Sequence, residues 1–99
     1  MELSTSIVVF GEMHEGISVT GDPDRTAAEY VAFFEGVRIF DVDRNVALTF
    51  ASVRRGLRRT GQLISDNDLW IAATAICHDL TLVSRDKAFD RIPNLKLLR

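Results

Sequence analysis

The chain has 99 residues and a formal net charge of −2, with 46% hydrophobic and 26% charged residues. This balance predicts one small globular domain and excludes a chain that attracts nucleic acid or anionic membrane through its overall charge. The one cysteine, Cys77, excludes a disulfide within the chain and suits a reducing cytoplasm. No stretch approaches the roughly 20 apolar residues of a membrane span, and MELSTSIVVF is too short and acidic for a signal peptide. We therefore expect a soluble cytoplasmic protein that does not act at a membrane.

The first half of the chain has two strand patterns with helices between them. STSIVVF (4–10) is β-branched and apolar, which predicts a strand, and EMHEGISV predicts a short helix that ends near Gly16. Asp22 is placed to cap a helix that begins at Pro23 and stops near Gly36. One helical stripe of that segment comprises Ala28, Val31, Ala32 and Glu35. VRIFDV (37–42) then predicts a second strand.

The second half continues the alternation. Asp43 is the predicted N-cap of a long helix. Its apolar stripe comprises Val46, Phe50, Val53 and Leu57, and its last turns carry Arg54, Arg55, Arg58 and Arg59. A helix from Asp66 to about His78, the strand LTLVS (80–84), a turn and the strand LKLL (95–98) follow. Alternating strands and helices predict an α/β domain with a mainly parallel sheet flanked by helices.

Three acidic residues lie at strand ends or helix starts in this arrangement. Asp68 is in the first turn of its helix, Asp86 follows the strand LTLVS, and Glu12 follows the first strand. Because a helix runs back along the sheet before the next strand comes forward, we expect all three at the carboxyl edge, where open α/β sheets bind ligands. Clustered carboxylates repel one another unless a cation or protons intervene, and Mg²⁺ or Mn²⁺ favours such oxygen ligands. A metal so held activates water and neutralises charge on a phosphate, which predicts a metal-dependent phosphodiesterase.

The segment DNDLWIAATAICHDLTLVSRD (66–86) closely resembles the C-terminal motif of PIN-domain ribonucleases, especially the VapC-type toxins of prokaryotic toxin–antitoxin pairs. SIVVFGEMHEG (6–16) resembles the family's strand followed by a glutamate and a glycine four residues later. The resemblance implies that Glu12, Asp68 and Asp86 are catalytic metal ligands and that Asp66 is an auxiliary acid. It further implies a divalent-metal-dependent endoribonuclease, a cognate antitoxin that blocks the site, and a homodimer.

The start of the chain departs from this pattern. Family members usually begin with a strand ending in LDTN-like residues, which supplies a first acidic ligand, and no residue of MELSTSI matches it, Glu2 included. We therefore expect residues 1–99 to form a single PIN-like domain, shortened at its N-terminus, without the first strand and helix. Such a domain invites strand exchange with a second chain.

Each candidate residue also has an ordinary structural interpretation. Ser65 as N-cap and Asp68 three residues later form a capping-box pattern. Asp86 suits a turn or an N-cap before KAFD, and Glu12 suits an exposed helix face. The arginines of the long helix are typical of a solvated face, and our hypothesis is that they, or Arg85 and Lys87, contact the phosphate backbone. Burial is the ordinary role for Cys77, and helix-end or surface positions are expected for His14 and His78.

Two functions follow from these patterns. The first is RNA hydrolysis with Mg²⁺ or Mn²⁺ held by Glu12, Asp68 and Asp86 and assisted by Asp66. The second is a non-catalytic module that retains only dimerisation or antitoxin binding. A phosphoacceptor domain is disfavoured because no reactive aspartate stands beside a suitable lysine.

Overall fold

The computed structural model describes residues 3–99, and the contacts divide the chain into two compact units, Met1–Asp41 and Val42–Arg99. Met1 and Glu2 lie outside the described residues, so the interpretation of Glu2 is untested. Each unit contains one pair of parallel strands with helices between them in the chain. The predicted parallel α/β organisation is therefore confirmed within each unit.

The first unit runs β1 (Leu3–Ser6), α1 (Ile7–Glu15), a 3₁₀ helix (Gly16–Val19), α2 (Pro23–Phe34) and β2 (Val37–Phe40). β1 pairs with β2 in parallel, with Leu3 opposite Val37 and Ser6 opposite Phe40. The Asp22 side chain accepts the Arg25 N–H at 3.1 Å, which confirms the predicted cap before Pro23.

The first strand is shorter than the sequence predicted. It ends at Ser6, and Ile7–Phe10, which we expected to be extended, form the first turn of α1. The Ser6 hydroxyl accepts the Val9 N–H at 3.1 Å and caps the helix. This local cap satisfies a backbone donor that the helix start would otherwise leave free, and it prevails over the β preference of the isoleucine and valines.

The stripe of α2 that carries Ala28, Val31, Ala32 and Glu35 does not face the interior of its unit. Ala28, Val31 and Ala32 are exposed, Val31 by 62%. The opposite side packs instead, with ring centroids 4.8 Å apart for Phe10 and Phe34. His14, in the last turn of α1 as expected, joins this aromatic cluster 5.7 Å from Tyr30. Aromatic rings bury more area than alanine and valine, and they determine which side of α2 is covered.

The second unit runs α3 (Arg44–Arg59), α4 (Asp66–Cys77), β3 (Thr81–Val83), a 3₁₀ helix (Lys87–Arg91) and β4 (Lys96–Leu98). Asp43 caps α3 as predicted, with its Oδ1 accepting the Val46 N–H at 2.9 Å. β3 and β4 pair in parallel from Thr81 opposite Lys96 to Val83 opposite Leu98. Among residues 3–99, no helix is both long and apolar enough to cross a membrane.

The core of the second unit lies between α3, α4 and the 3₁₀ helix. Its buried side chains are Leu57, Leu69, Ala72, Phe89 and Ile92. Phe50, Val53 and Ile76 pack against them, and Val46 is fully buried. The apolar stripe predicted for α3 is therefore confirmed, and this core fixes the positions of the α4 N-terminus and of the segment after β3.

Candidate functional site

Asp68 occupies the first turn of α4 and is half-buried. Its backbone N–H donates to the Ser65 hydroxyl at 3.2 Å, so the expected cap is present. Only the Asp68 backbone enters this hydrogen bond, and a carboxylate here is also favoured by the positive end of the helix dipole. The side chain can therefore serve a ligand while the backbone holds the helix start.

Asp66 begins α4 and contacts α3. The Arg54 Nε lies 3.5 Å from the Asp66 Oδ1, with side-chain exposures of 35% and 68%. This ion pair was not predicted from the sequence. There, Asp66 was expected to be an auxiliary acid and Arg54 to contact the phosphate backbone. It means that Arg54 already has an anionic partner within the unit.

Asp86 lies between β3 and the 3₁₀ helix and is exposed. Its Oδ1 accepts the Ala88 N–H at 2.9 Å, and its own N–H donates to the Ser84 hydroxyl at 3.1 Å. The turn-and-cap role expected from the sequence is confirmed. The remaining lone pairs of the carboxylate stay available, because one hydrogen bond uses only part of its accepting capacity.

Glu12 belongs to the first unit and is exposed in the middle of α1. It does not directly follow a strand, because the shortening of β1 places Ile7–Gly11 in the helix before it. Its convergence with Asp68 and Asp86 of the second unit stays a prediction.

Carboxylate oxygens are the donors that Mg²⁺ and Mn²⁺ prefer. Among residues 3–99, however, no group of three or more His, Cys, Asp or Glu side chains is placed to hold a metal ion. The donor chemistry suits the ion, but the described residues do not form a complete site. Cys77 ends α4 and His78 follows it as the C-cap, both half-buried.

Three further features of the second unit were not predicted from the sequence. The Phe50 and Trp70 rings stack between α3 and α4 with centroids 3.7 Å apart and planes 14° from parallel. A groove of about 730 Å³ lies between α3 and the segment 90–94. That segment is held by Arg91, whose Nη1 donates to the Leu63 carbonyl at 3.1 Å. All three features depend on contacts distant in sequence, for which no local pattern provides a signal.

Comparison with known proteins identifies relatives over nearly the whole chain. The model of the PIN domain family matches residues 2–95. The chain is 31% identical over 96 residues to ribonuclease VapC2 of Rickettsia felis, covering 96% of this chain and 72% of the relative.

Solved structures show the same fold. A VapBC2 structure from Rickettsia felis, bound to a DNA fragment from the promoter, has a TM-score of 0.88 at 30% identity, over 96% of this chain and 72% of that one. A DNA-bound VapBC structure from Salmonella typhimurium has a TM-score of 0.90 at 25% identity, over 96% and 73%. The likeness therefore extends over both units described above.

Proposed function

Because the chain belongs to the PIN domain family, we propose that it is an endoribonuclease of the toxin–antitoxin type. The observation that supports this most is the extent of the match, which includes both Glu12 and the segment with Asp66, Asp68 and Asp86. A relative of this identity that bears the name ribonuclease supports a nuclease activity more strongly than fold alone does.

The proposed reaction is hydrolysis of an RNA phosphodiester with a divalent cation, Mg²⁺ or Mn²⁺. Glu12, Asp68 and Asp86 are its proposed ligands, and Asp66 is the proposed auxiliary acid. When bound, such an ion supplies an activated water and offsets charge at the phosphate. Within the chain itself, the Ser65 cap orients Asp68, the Asp86 turn presents its carboxylate, and Arg54 holds Asp66.

The proposed partners are a cognate antitoxin and a second copy of the chain. The antitoxin is supported by the solved structures similar to this chain, whose names describe VapBC assemblies. An RNA substrate implies a cytoplasmic location.

A non-catalytic module is the second candidate, and one observation favours it. The described residues 3–99 contain no group of three potential metal ligands. A chain of this kind would retain antitoxin binding or dimerisation without cleaving RNA.

Cleavage of a mixed RNA pool in the presence of Mn²⁺ separates the two candidates. We expect the 99-residue chain to cleave, and Asp68→Asn to lower the rate roughly a hundredfold or more, the size typical of removing one group that stabilises transition-state charge. Glu12→Gln and Asp86→Asn should act similarly, and chelation by EDTA should stop the reaction.

Asp24→Asn is the matched control, because Asp24 is an exposed acid in the first turn of α2. It should cleave like the unchanged chain. A folded protein that leaves the RNA intact with Mn²⁺ would contradict the nuclease and support the binding module.

A further inference from the structure

The groove between α3 and the segment 90–94 lies entirely within the second unit. Leu48, Val53 and Pro93 supply apolar surface, whereas Ser52, Gln62 and Asn94 supply hydroxyl and amide groups. Its volume of about 730 Å³ falls in the range of about 300–1,000 Å³ found for sites that hold small organic groups. Apolar side chains with donors and acceptors beside them suit a flat heterocycle with polar edges.

One wall of the groove belongs to a strongly basic helix. α3 contains five arginines and no acidic residue, in a chain whose net charge is −2. Arg55 and Arg59 follow the groove residue Ser52 by three and seven positions, which places them on the same stripe of the helix. Arg58 follows Ser52 by six positions and therefore lies about 120° around the helix from it, whereas Arg59 lies about 20° from it.

Arg55 and Arg59 are available to a ligand. Both are exposed. The only ion pair of an α3 arginine in residues 3–99 joins Arg54 to Asp66. Arg55 and Arg59 therefore add positive charge beside the groove. The groove's own acid, Asp90, is already paired with Arg99, and its neighbour Arg91 adds a further positive charge to the lining.

We propose that this groove binds single-stranded RNA, with a base in the apolar cleft and the flanking phosphates on Arg55 and Arg59. The inference rests on the proposed RNA substrate, but the groove is separate from the residues assigned to cleavage. Unstacked bases of single-stranded RNA enter such pockets and present polar edges, while arginines along the backbone contribute affinity without sequence choice. The positive charge of Arg55 and Arg59 favours RNA over an apolar helix of a partner.

Binding is measured with a fluorescein-labelled RNA of twelve nucleotides and mixed sequence, by anisotropy in EDTA, so that cleavage is absent. Arg59→Gln should weaken binding about fourfold at 0.15 M salt, because each lost phosphate contact lowers the slope of log affinity against log salt by about 0.7 for a single strand. The double variant Arg55→Gln/Arg59→Gln should lower the slope by about 1.4. Arg58→Gln is the matched control, with the same change of charge at the same helix end, and should bind like the unchanged chain.

A second variant tests the cleft itself. Gly56 lines the groove, and a Cβ added there meets no atom within 4 Å. Gly56→Leu should therefore fill the cleft without disturbing the fold and weaken RNA binding about tenfold, whereas Gly56→Ala should have a much smaller effect. Thermal unfolding of both variants should occur at or above the temperature of the unchanged chain, because glycine is unfavourable within a helix.

Equal weakening by Arg58→Gln and Arg59→Gln would overturn the proposal, as would RNA affinity that Gly56→Leu leaves unchanged. Gly56→Leu could instead change the molar mass measured by light scattering while RNA affinity stays constant. That result would identify the groove as a contact between copies of the chain. Failure of the unchanged chain to bind the RNA would also overturn the proposal. The proposed nuclease is judged separately by cleavage with Mn²⁺, so the two failures are distinguishable.

Discussion

At the scale of single residues, the start of α4 combines the structural role of Ser65 with the proposed metal-binding role of Asp68. The Ser65 hydroxyl caps the helix through the Asp68 N–H, whereas the Asp68 carboxylate is not part of that hydrogen bond. Ser65→Ala should therefore lower the free energy of unfolding by about 1 kcal/mol. Asp68→Asn should change it by less than about 1 kcal/mol, since only the interaction with the helix dipole is lost. Urea unfolding followed by circular dichroism measures both.

Comparable destabilisation by the two variants would show that the Asp68 side chain is structural. Loss of cleavage in Asp68→Asn would then report stability rather than chemistry. Asp86 presents the same combination at the next turn, where the side chain itself caps the 3₁₀ helix. Asp86→Asn retains an accepting oxygen and is for that reason a better test there than alanine.

At the scale of elements, α4 contributes the most fully buried face of the second unit. Leu69 is fully buried between α3 and the 3₁₀ helix, and Leu48 on α3 is 64% exposed. Leu69→Ala should lower the free energy of unfolding by about 2–5 kcal/mol because it leaves a cavity. The matched Leu48→Ala should stay within about 0.5 kcal/mol. A small effect of Leu69→Ala in urea unfolding would contradict the core described here.

The elements also show which features the sequence predicts and why others escape it. The caps at Asp22, Asp43 and Ser65 are local, so the residue types alone located three helix starts correctly. The strand over 4–10 was predicted too long because a β-branched run competes with the Ser6 cap, and local preference cannot decide between them. The Arg54–Asp66 pair and the groove depend on how α3 meets α4 and the segment 90–94, which no local pattern encodes.

At the scale of the whole molecule, the exposed stripe of α2 bears on assembly. Ala28, Val31 and Ala32 are exposed on one stripe of α2, which also carries Glu35. Exposed apolar side chains that group on one face of a helix favour contact with another chain. The proposed homodimer provides such a chain.

Light scattering of the purified chain should accordingly give a molar mass about twice the 11.1 kDa of one copy. Val31→Asp should return the mass to that of a single copy, because a carboxylate in a packed apolar contact loses its hydration without a partner. Val19→Asp is the matched control, since Val19 is 84% exposed and lies in the 3₁₀ helix, outside the α2 stripe. A mass of one copy at every concentration would contradict the dimer, and a dimer unchanged by Val31→Asp would place the contact on another surface. Because RNA binding is assigned to α3 and self-association to α2, Val31→Asp should also leave RNA affinity per chain unchanged.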